Sequence, residues 1–294
     1  MMNRRDLLCS LPALATTPLL RAADEQVPGK ARLRNAICAY SYREELKSQS
    51  MSYSDLVRVA VETGAEGLDL TVYWFPPGAP DSFLFPLKRL AFKNAVEIYS
   101  ISIRTDMCRP PGAVRDKEIT EVHKWVDAAA KLGAGHIRVF GGTVPKGSTE
   151  DEAAQWAVET LKPCVEYAGS RGVILGLENH GGITERAERI IQIVKEVGSP
   201  WLGINLDTGN FNRNVLPQIE MSIPYAVNVQ VKVEQRLEDG TRGPQDWDRI
   251  VQMLAKGNYR GYLALEYEAR ESAVSAVPRL TRRLGEIIRK YSQV

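Results

Sequence analysis

Short β-type runs alternate with longer stretches of helical periodicity eight times over, and that alternation limits the folds open to this chain. The runs are NAICAYS (35–41), GLDLT (67–71), EIYSISI (97–103), HIRVFGG (136–142), VILGLEN (173–179), LGINLDTGN (202–210), VNVQVKVE (227–234) and GYLALEYE (261–268). Between them lie segments such as YSDLVRVAVETGA, KEITEVHKWVDAAAKLGA, DEAAQWAVETLKPCVEYAGSRG and ITERAERIIQIVKEVGS. In the last of these, Ile183, Ala187, Ile190, Ile191, Val194 and Val197 share one helical face. Gly133, Gly172, Gly198 and Gly257 fall where a helix stops ahead of the next strand, the place of a left-handed C-terminal glycine. Repeated βα units of about 30 residues predict a parallel sheet with helical crossovers. Eight of them predict closure into a single (β/α)8 TIM barrel of the α/β class.

The rival is a doubly wound open sheet, but no strand here leads into GxGxxG. FGGTVPKGS lacks the Walker spacing and reads as a loop. YWFPPGAPDSFLFP (73–86) reads as a long proline-rich loop with exposed aromatics, placed on the active-site face as a wall or lid. No second domain and no low-complexity linker are visible.

The first residues follow a different logic. MMNRRDLLCSLPALATTPLLRAAD pairs Arg4 with Arg5, runs apolar from Leu7 to Leu20, and reaches small residues at Ala22 and Ala23. That is the order of an export signal, and NRRDLL resembles the twin-arginine motif. The expectation is that residues 1–23 are removed, residues 24–294 form the barrel, and the mature protein is periplasmic. The apolar run is too short and proline-broken to span a bilayer, and Cys9 follows too little of it to carry lipid, so no stable membrane anchor is expected. The remaining cysteines, Cys38, Cys108 and Cys164, show no CxxC spacing, and whether two of them pair is open. A formal charge of +2 gives no electrostatic case for nucleic acid, and the oligomeric state is open.

In a barrel the strand C-termini and the loops after them build the active site. The polar groups there are Asp69 on the second strand, Arg138 on the fourth, Glu178 and His180 on the fifth, and Asp207 and Asn210 on the sixth. Gln230 and Lys232 end the seventh, and Glu266 and Glu268 the eighth. Taken singly, a strand-end acid is more often a helix cap or an ion-pair partner, and Asp207 before Thr208-Gly209 suits a turn. Together, Glu178, Asp207 and Glu266 at one mouth would repel and raise one another's pKa, a conflict that a divalent cation removes. Oxygen donors with at most one imidazole suit Mn2+ or Mg2+. His123 and His136 read as structural.

LGLENHGG, LDTGN, VQVKVE and LALEYE, in this order, resemble the xylose-isomerase-like barrel superfamily, in its sugar (phosphate) isomerase/epimerase branch of ketose 3-epimerases and inosose dehydratases. CAYSYR resembles the first strand of that group, and the resemblance covers nearly all of the mature chain. It implies a divalent metal, Mn2+ or Mg2+, held by Glu178, Asp207, Gln230 and Glu266. Gln230 departs from the usual histidine of an HxK pattern, and Asn210 stands where the family often has another. The resemblance also implies catalysis by Glu178, Glu266 and Lys232, with His180, Asn210, Arg138, Tyr40 and Asp69 toward the substrate.

The function so implied is metal-dependent isomerisation or epimerisation of a small sugar, by proton transfer next to a carbonyl through an enediolate. An inosose or keto-sugar dehydratase would use the same residues, and a degenerate carbohydrate-binding barrel without activity is the reading that Gln230 and Asn210 favour. A multi-metal nuclease on the same barrel would need many histidines, and the chain has three.

Overall fold

The computed structural model describes residues 31–237 and 239–292. Its barrel strands are β1 (Leu33–Cys38), β2 (Gly67–Thr71), β3 (Glu97–Ser102), β4 (His136–Phe140), β5 (Ile174–Glu178), β6 (Leu202–Asp207) and β7 (Ala226–Lys232). A short antiparallel hairpin follows, β8 (Glu234–Arg236) with β9 (Arg242–Pro244), and β10 (Gly261–Glu266) completes the set. The closed order is β1-β10-β7-β6-β5-β4-β3-β2, with β1 pairing in parallel to both β10 and β2. The predicted TIM barrel is therefore the fold. The predicted export segment, 1–23, lies outside the described residues. No helix among the described residues is long and apolar enough to cross a membrane.

Strand alternation decides what goes where. Ile137 and Val139, Leu175 and Leu177, Ile204 and Leu206, and Val229 and Val231 point outward into the apolar layer beneath the helices. Each such side chain taken out of water contributes about 1.5–3 kcal/mol, so a one-residue register slip is strongly disfavoured. The residues between them, including Arg138, Glu178, Asn205, Asp207, Asn228, Gln230 and Lys232, are buried inside the barrel. Inside the barrel, Tyr99 and Tyr262 stack at 3.8 Å and pack with Ala36, Cys38 and Ala264.

Three expectations are corrected or settled. The stretch 73–86 is not one long loop: a helix spans Asp81–Lys93, with Leu84, Leu87 and Ala91 buried at helical spacing. Pro86 lies inside it and gives up one backbone bond, a loss that burial of this face outweighs. The aromatics are mostly packed too, Phe75 meeting Tyr53 at 4.6 Å and Phe83 at 4.9 Å, with Phe85 half exposed. Gly257 is not left-handed (φ −75°); Asn258 takes that conformation one residue later (φ 58°). Cys38, Cys108 and Cys164 are all buried and form no disulfide.

The glycine in LGLEN has a steric cause. A Cβ on Gly176 would stand 2.2 Å from His136 Nε2 and 3.0 Å from Asn205 Cβ, so β5 must carry no side chain where the imidazole crosses the interior. The Ser100 hydroxyl donates to Asp69 Oδ1 at 2.9 Å, which leaves its oxygen to accept from His136 Nδ1–H at 2.8 Å. Nε2 then carries no proton and is buried without a partner. Burial, with Arg138 adding to it, lowers the His136 pKa from 6.5 to about 3. Above pH 6.5 the imidazole is neutral in both folded and unfolded chains. As pH falls from 6.5 toward 3 the unfolded chain binds a proton that the native state refuses, and about 1.4 kcal/mol is lost per unit. His136→Gln is therefore expected to cut the stability lost between pH 7 and pH 5 by about 2 kcal/mol, read from urea denaturation at both pH values. An unchanged pH dependence would contradict this account of the buried imidazole.

Candidate active site

At the C-terminal ends of the strands a cavity of about 780 Å³ opens. Eight of the residues singled out from the sequence line it: Tyr40, Arg138, Glu178, His180, Asn210, Lys232, Glu266 and Glu268. Asp69, Asp207 and Gln230 do not reach its wall and are fully buried. The LENHGG segment shows how sequence sets this up. Asn179 extends the β5–β6 ladder with its side chain, donating to Asp207 O and accepting from Asp207 N, both at 2.8 Å. Gly182 then turns the chain with φ 52°, where a Cβ would lie 2.2 Å from Gly142 O. His180 is thereby laid on the Phe140 ring at 4.2 Å. Burial, together with Arg138 and Lys232, lowers its pKa and keeps the imidazole neutral.

Two built-in cations divide the acids between them. Arg138 Nε lies 2.9 Å from Glu178 Oε2, an ion pair in which the N–H is not aimed at the oxygen. The guanidinium also donates to Ile103 O at 2.9 Å and to Tyr73 at 3.3 Å, and covers the Phe140 ring. Glu178 Oε1 accepts from Asn210 Nδ2 at 3.0 Å. Burial pushes the Glu178 pKa well up; Arg138 opposes this, while Asp207 and Glu266 add to it. Lys232 Nζ lies 3.3 Å from Asp207 Oδ2 and 3.0 Å from Glu266 Oε1, and also contacts Glu268. Burial would lower its pKa, but these three acids override that and raise it well above the ordinary lysine value.

Asp207 serves both sequence readings at once. Its Oδ1 accepts from Gly209 N at 2.8 Å, the turn role, while Oδ2 is buried without a hydrogen-bond donor. Burial raises its pKa to about 7, against the pull of Lys232. Gln230 is held by Asn205 and Asp69, and Asp69 is consumed by Ser100, Ser102 and Gln230 rather than presented to a substrate.

The expected four-ligand cluster is not assembled in this conformation. Among the described residues no three acids, histidines or cysteines close on one point at ion-binding distance, because the Lys232 ammonium stands among Asp207, Glu266 and Glu268. Yet the charges do not balance. The buried charged side chains among the described residues are Asp69, Glu178, Asp207 and Glu266 against Arg138 and Lys232, a formal deficit of two positive charges.

Several site residues were missed from the sequence. Glu268, counted from the sequence among the strand-end polar groups but given no role, lies past the end of β10, lines the cavity and holds Lys232. Arg104, its guanidinium over Tyr73 at 4.9 Å, and Arg242 on the hairpin bring positive charge to the cavity wall from loops that carry no motif. Asn205 sits two residues before Asp207 and is hidden by its apolar neighbours in sequence.

Comparison with known proteins agrees with the geometry. A family model described as xylose isomerase-like TIM barrel matches residues 57–290. A Mus musculus protein provisionally named a hydroxypyruvate isomerase is 27% identical over 167 residues, 51% of this chain and 59% of that protein. A 3-dehydroshikimate dehydratase of Bacillus anthracis is 25% identical over 182 residues, 60% of this chain and 61% of its own length. The chain thus matches about three fifths of each curated relative. The crystal structure of D-psicose 3-epimerase with D-tagatose from Clostridium cellulolyticum H10 superposes with a TM-score of 0.73 at 17% identity. It covers 89% of this chain and 100% of that one, and at this identity it speaks to the fold alone.

Removing one partner of the Arg138–Glu178 pair leaves a buried charge without compensation. Arg138→Met is expected to cost about 3–5 kcal/mol in chemical denaturation, and adding Glu178→Gln to recover much of that loss. Wild-type stability in the single variant would contradict the pairing.

Proposed function

From the premise that the chain belongs to the xylose isomerase-like TIM barrel family, we propose that it is an isomerase or epimerase. It would move the proton beside the carbonyl of a small polyhydroxy carbonyl compound, with Mn2+ or Mg2+ as cofactor. The observation that carries this reading is the deficit of two positive charges among the buried groups at the foot of an open cavity. The residues fit such an ion. Asp207 Oδ2 is a buried oxygen without a donor. The donor set of Glu178, Asp207, Glu266 and the Gln230 amide oxygen is all oxygen, as hard cations require. Lys232 shares Asp207 and Glu266 with the ion and would have to release them, keeping Glu268 as its partner. When bound, the cation would polarise the substrate carbonyl and acidify the neighbouring carbon.

The protein's own groups supply the rest. Glu266 lines the cavity and is assigned the base that takes the carbon-bound proton. Glu178 also lines the cavity and is assigned the return of a proton to the substrate. Neutral His180, Asn210 and Tyr40 would bind substrate hydroxyls, and Lys232 and Arg138 would face developing negative charge. A dehydratase is the second reading: the same proton is removed and a β-hydroxyl then leaves. The name of the Bacillus relative favours it, and both curated relatives are named for hydroxy-keto acids, to whose carboxylates Arg104 and Arg242 are suited. The signal-like segment at 1–23 supports a periplasmic setting.

The test is proton exchange in D2O with added Mn2+, followed by NMR over ketohexoses, inososes, hydroxypyruvate and 3-dehydroshikimate. At least one compound is expected to exchange, and Glu266→Gln to lose about 10²–10⁴-fold of that rate while keeping its fold. If the variant exchanges as fast as wild type, the assignment of Glu266 as base is wrong. If nothing exchanges with wild type, the binding-barrel reading takes its place.

A further inference from the structure

Gln230 is a ligand that can face two ways. Its carboxamide presents an oxygen, which binds a cation, or an NH2 group, which repels one, and the two orientations have nearly the same shape. What fixes the amide is a line of hydrogen bonds across the barrel interior. Tyr99 O–H donates to Asn228 Oδ1 at 3.1 Å, and Asn228 Nδ2 donates to Asn205 Oδ1 at 2.8 Å. Asn205 Nδ2 donates to Gln230 Oε1 at 2.7 Å and lies 3.5 Å from Glu178 Oε2. Gln230 Nε2 donates to Asp69 Oδ2 at 3.0 Å, and Asp69 Oδ1 accepts from Ser100 and Ser102, both at 2.9 Å. All of these residues are buried.

Three consecutive amides in such a line turn together. Reversing Gln230 alone would set its NH2 against the Asn205 NH2 and its oxygen against the Asp69 carboxylate, so every amide must flip or none. The Tyr99 end does not choose, because a hydroxyl can donate or accept. The Asp69 end does choose: its carboxylate, already accepting from two serines, offers only an acceptor to Gln230 at 3.0 Å, a shorter contact than the 3.5 Å hydrogen bond from Asn205 Nδ2 to Glu178, which favours the same sense. We propose that Asp69 is a positioning residue whose carboxylate sets the polarity of the Gln230–Asn205–Asn228–Tyr99 line. It holds the Gln230 oxygen toward β5 and β6, which carry Glu178 and Asp207, and turns the NH2 group away. The inference rests on the assignment of Gln230 as an ion ligand made above, and gives the barrel a way to use an amide where an imidazole would otherwise serve.

Asp69→Asn tests it with little change of shape. Ser100 and Ser102 would claim the oxygen of the introduced amide, leaving its NH2 to face Gln230 and reverse the whole line. The readout is Mn2+ binding followed by the EPR signal of the free ion, with thermal melts to establish that each variant is folded. Asp69→Asn is expected to weaken Mn2+ binding by about 10–100-fold. In a Gln230→Glu background the ligand is symmetric, so adding Asp69→Asn should leave affinity unchanged or raise it. General damage to the interior would lower affinity in both backgrounds. Equal Mn2+ affinity in wild type and Asp69→Asn, or an equal loss with and without Gln230→Glu, overturns the positioning role alone. Wild type that binds no Mn2+ overturns the ion-ligand assignment and this role with it.

Discussion

The interior of an eight-stranded barrel is shut off from water over much of its length, so each inward polar group must find its partner among the other inward groups. In this chain that requirement falls on carboxylates. Asp69 meets it with three hydrogen bonds, and Glu178 with Arg138 and Asn210. Asp207 and Glu266 share Lys232; Asp207 Oδ1 also accepts from Gly209 N, while its Oδ2 has no hydrogen-bond donor. The raised pKa values of Glu178 and Asp207 have one origin: burial that the two built-in cations do not fully offset. Under the proposed function, a divalent cation would relieve this condition.

The outer half of each strand does none of this work. It anchors register by burying aliphatic side chains under the helices, which frees the inner half to carry groups that would destabilise an ordinary core. The mouth is lined by Tyr40 and Tyr73 on short 3-10 turns after β1 and β2, by Arg104 after β3 and by Arg242 on the β8–β9 hairpin. A fold divided in this way can host different chemistries on one framework.

The barrel was legible because its signals are local and repeated: GLDLT was read at its observed bounds, and the other strands within a few residues of theirs. The helix Asp81–Lys93 was not, because Pro80 and Pro86 speak for a loop while the evidence for a helix lies in which face is buried. Strand ends also picked out the acids, since period-two alternation tells which residues face inward. What alternation cannot tell is who pairs with whom. Lys232 as partner of three acids, Asp69 as an internal anchor rather than a substrate contact, and Glu268 as part of the wall all depend on side chains meeting across the barrel. Asn205 illustrates the limit. In LGINLD it reads as one polar residue in an apolar strand, and only the register of β5, β6 and β7 sets it between Glu178 and Gln230.

The central claim is that the buried charge deficit is filled by a divalent cation on Glu178, Asp207, Gln230 and Glu266. Anomalous diffraction at the manganese edge from crystals grown with Mn2+ tests it without reference to any substrate. The account expects one strong peak within bonding distance of these four side chains, with Lys232 withdrawn from Asp207 and Glu266. Crystals in which Lys232 still bridges those acids and no peak stands among them would contradict it.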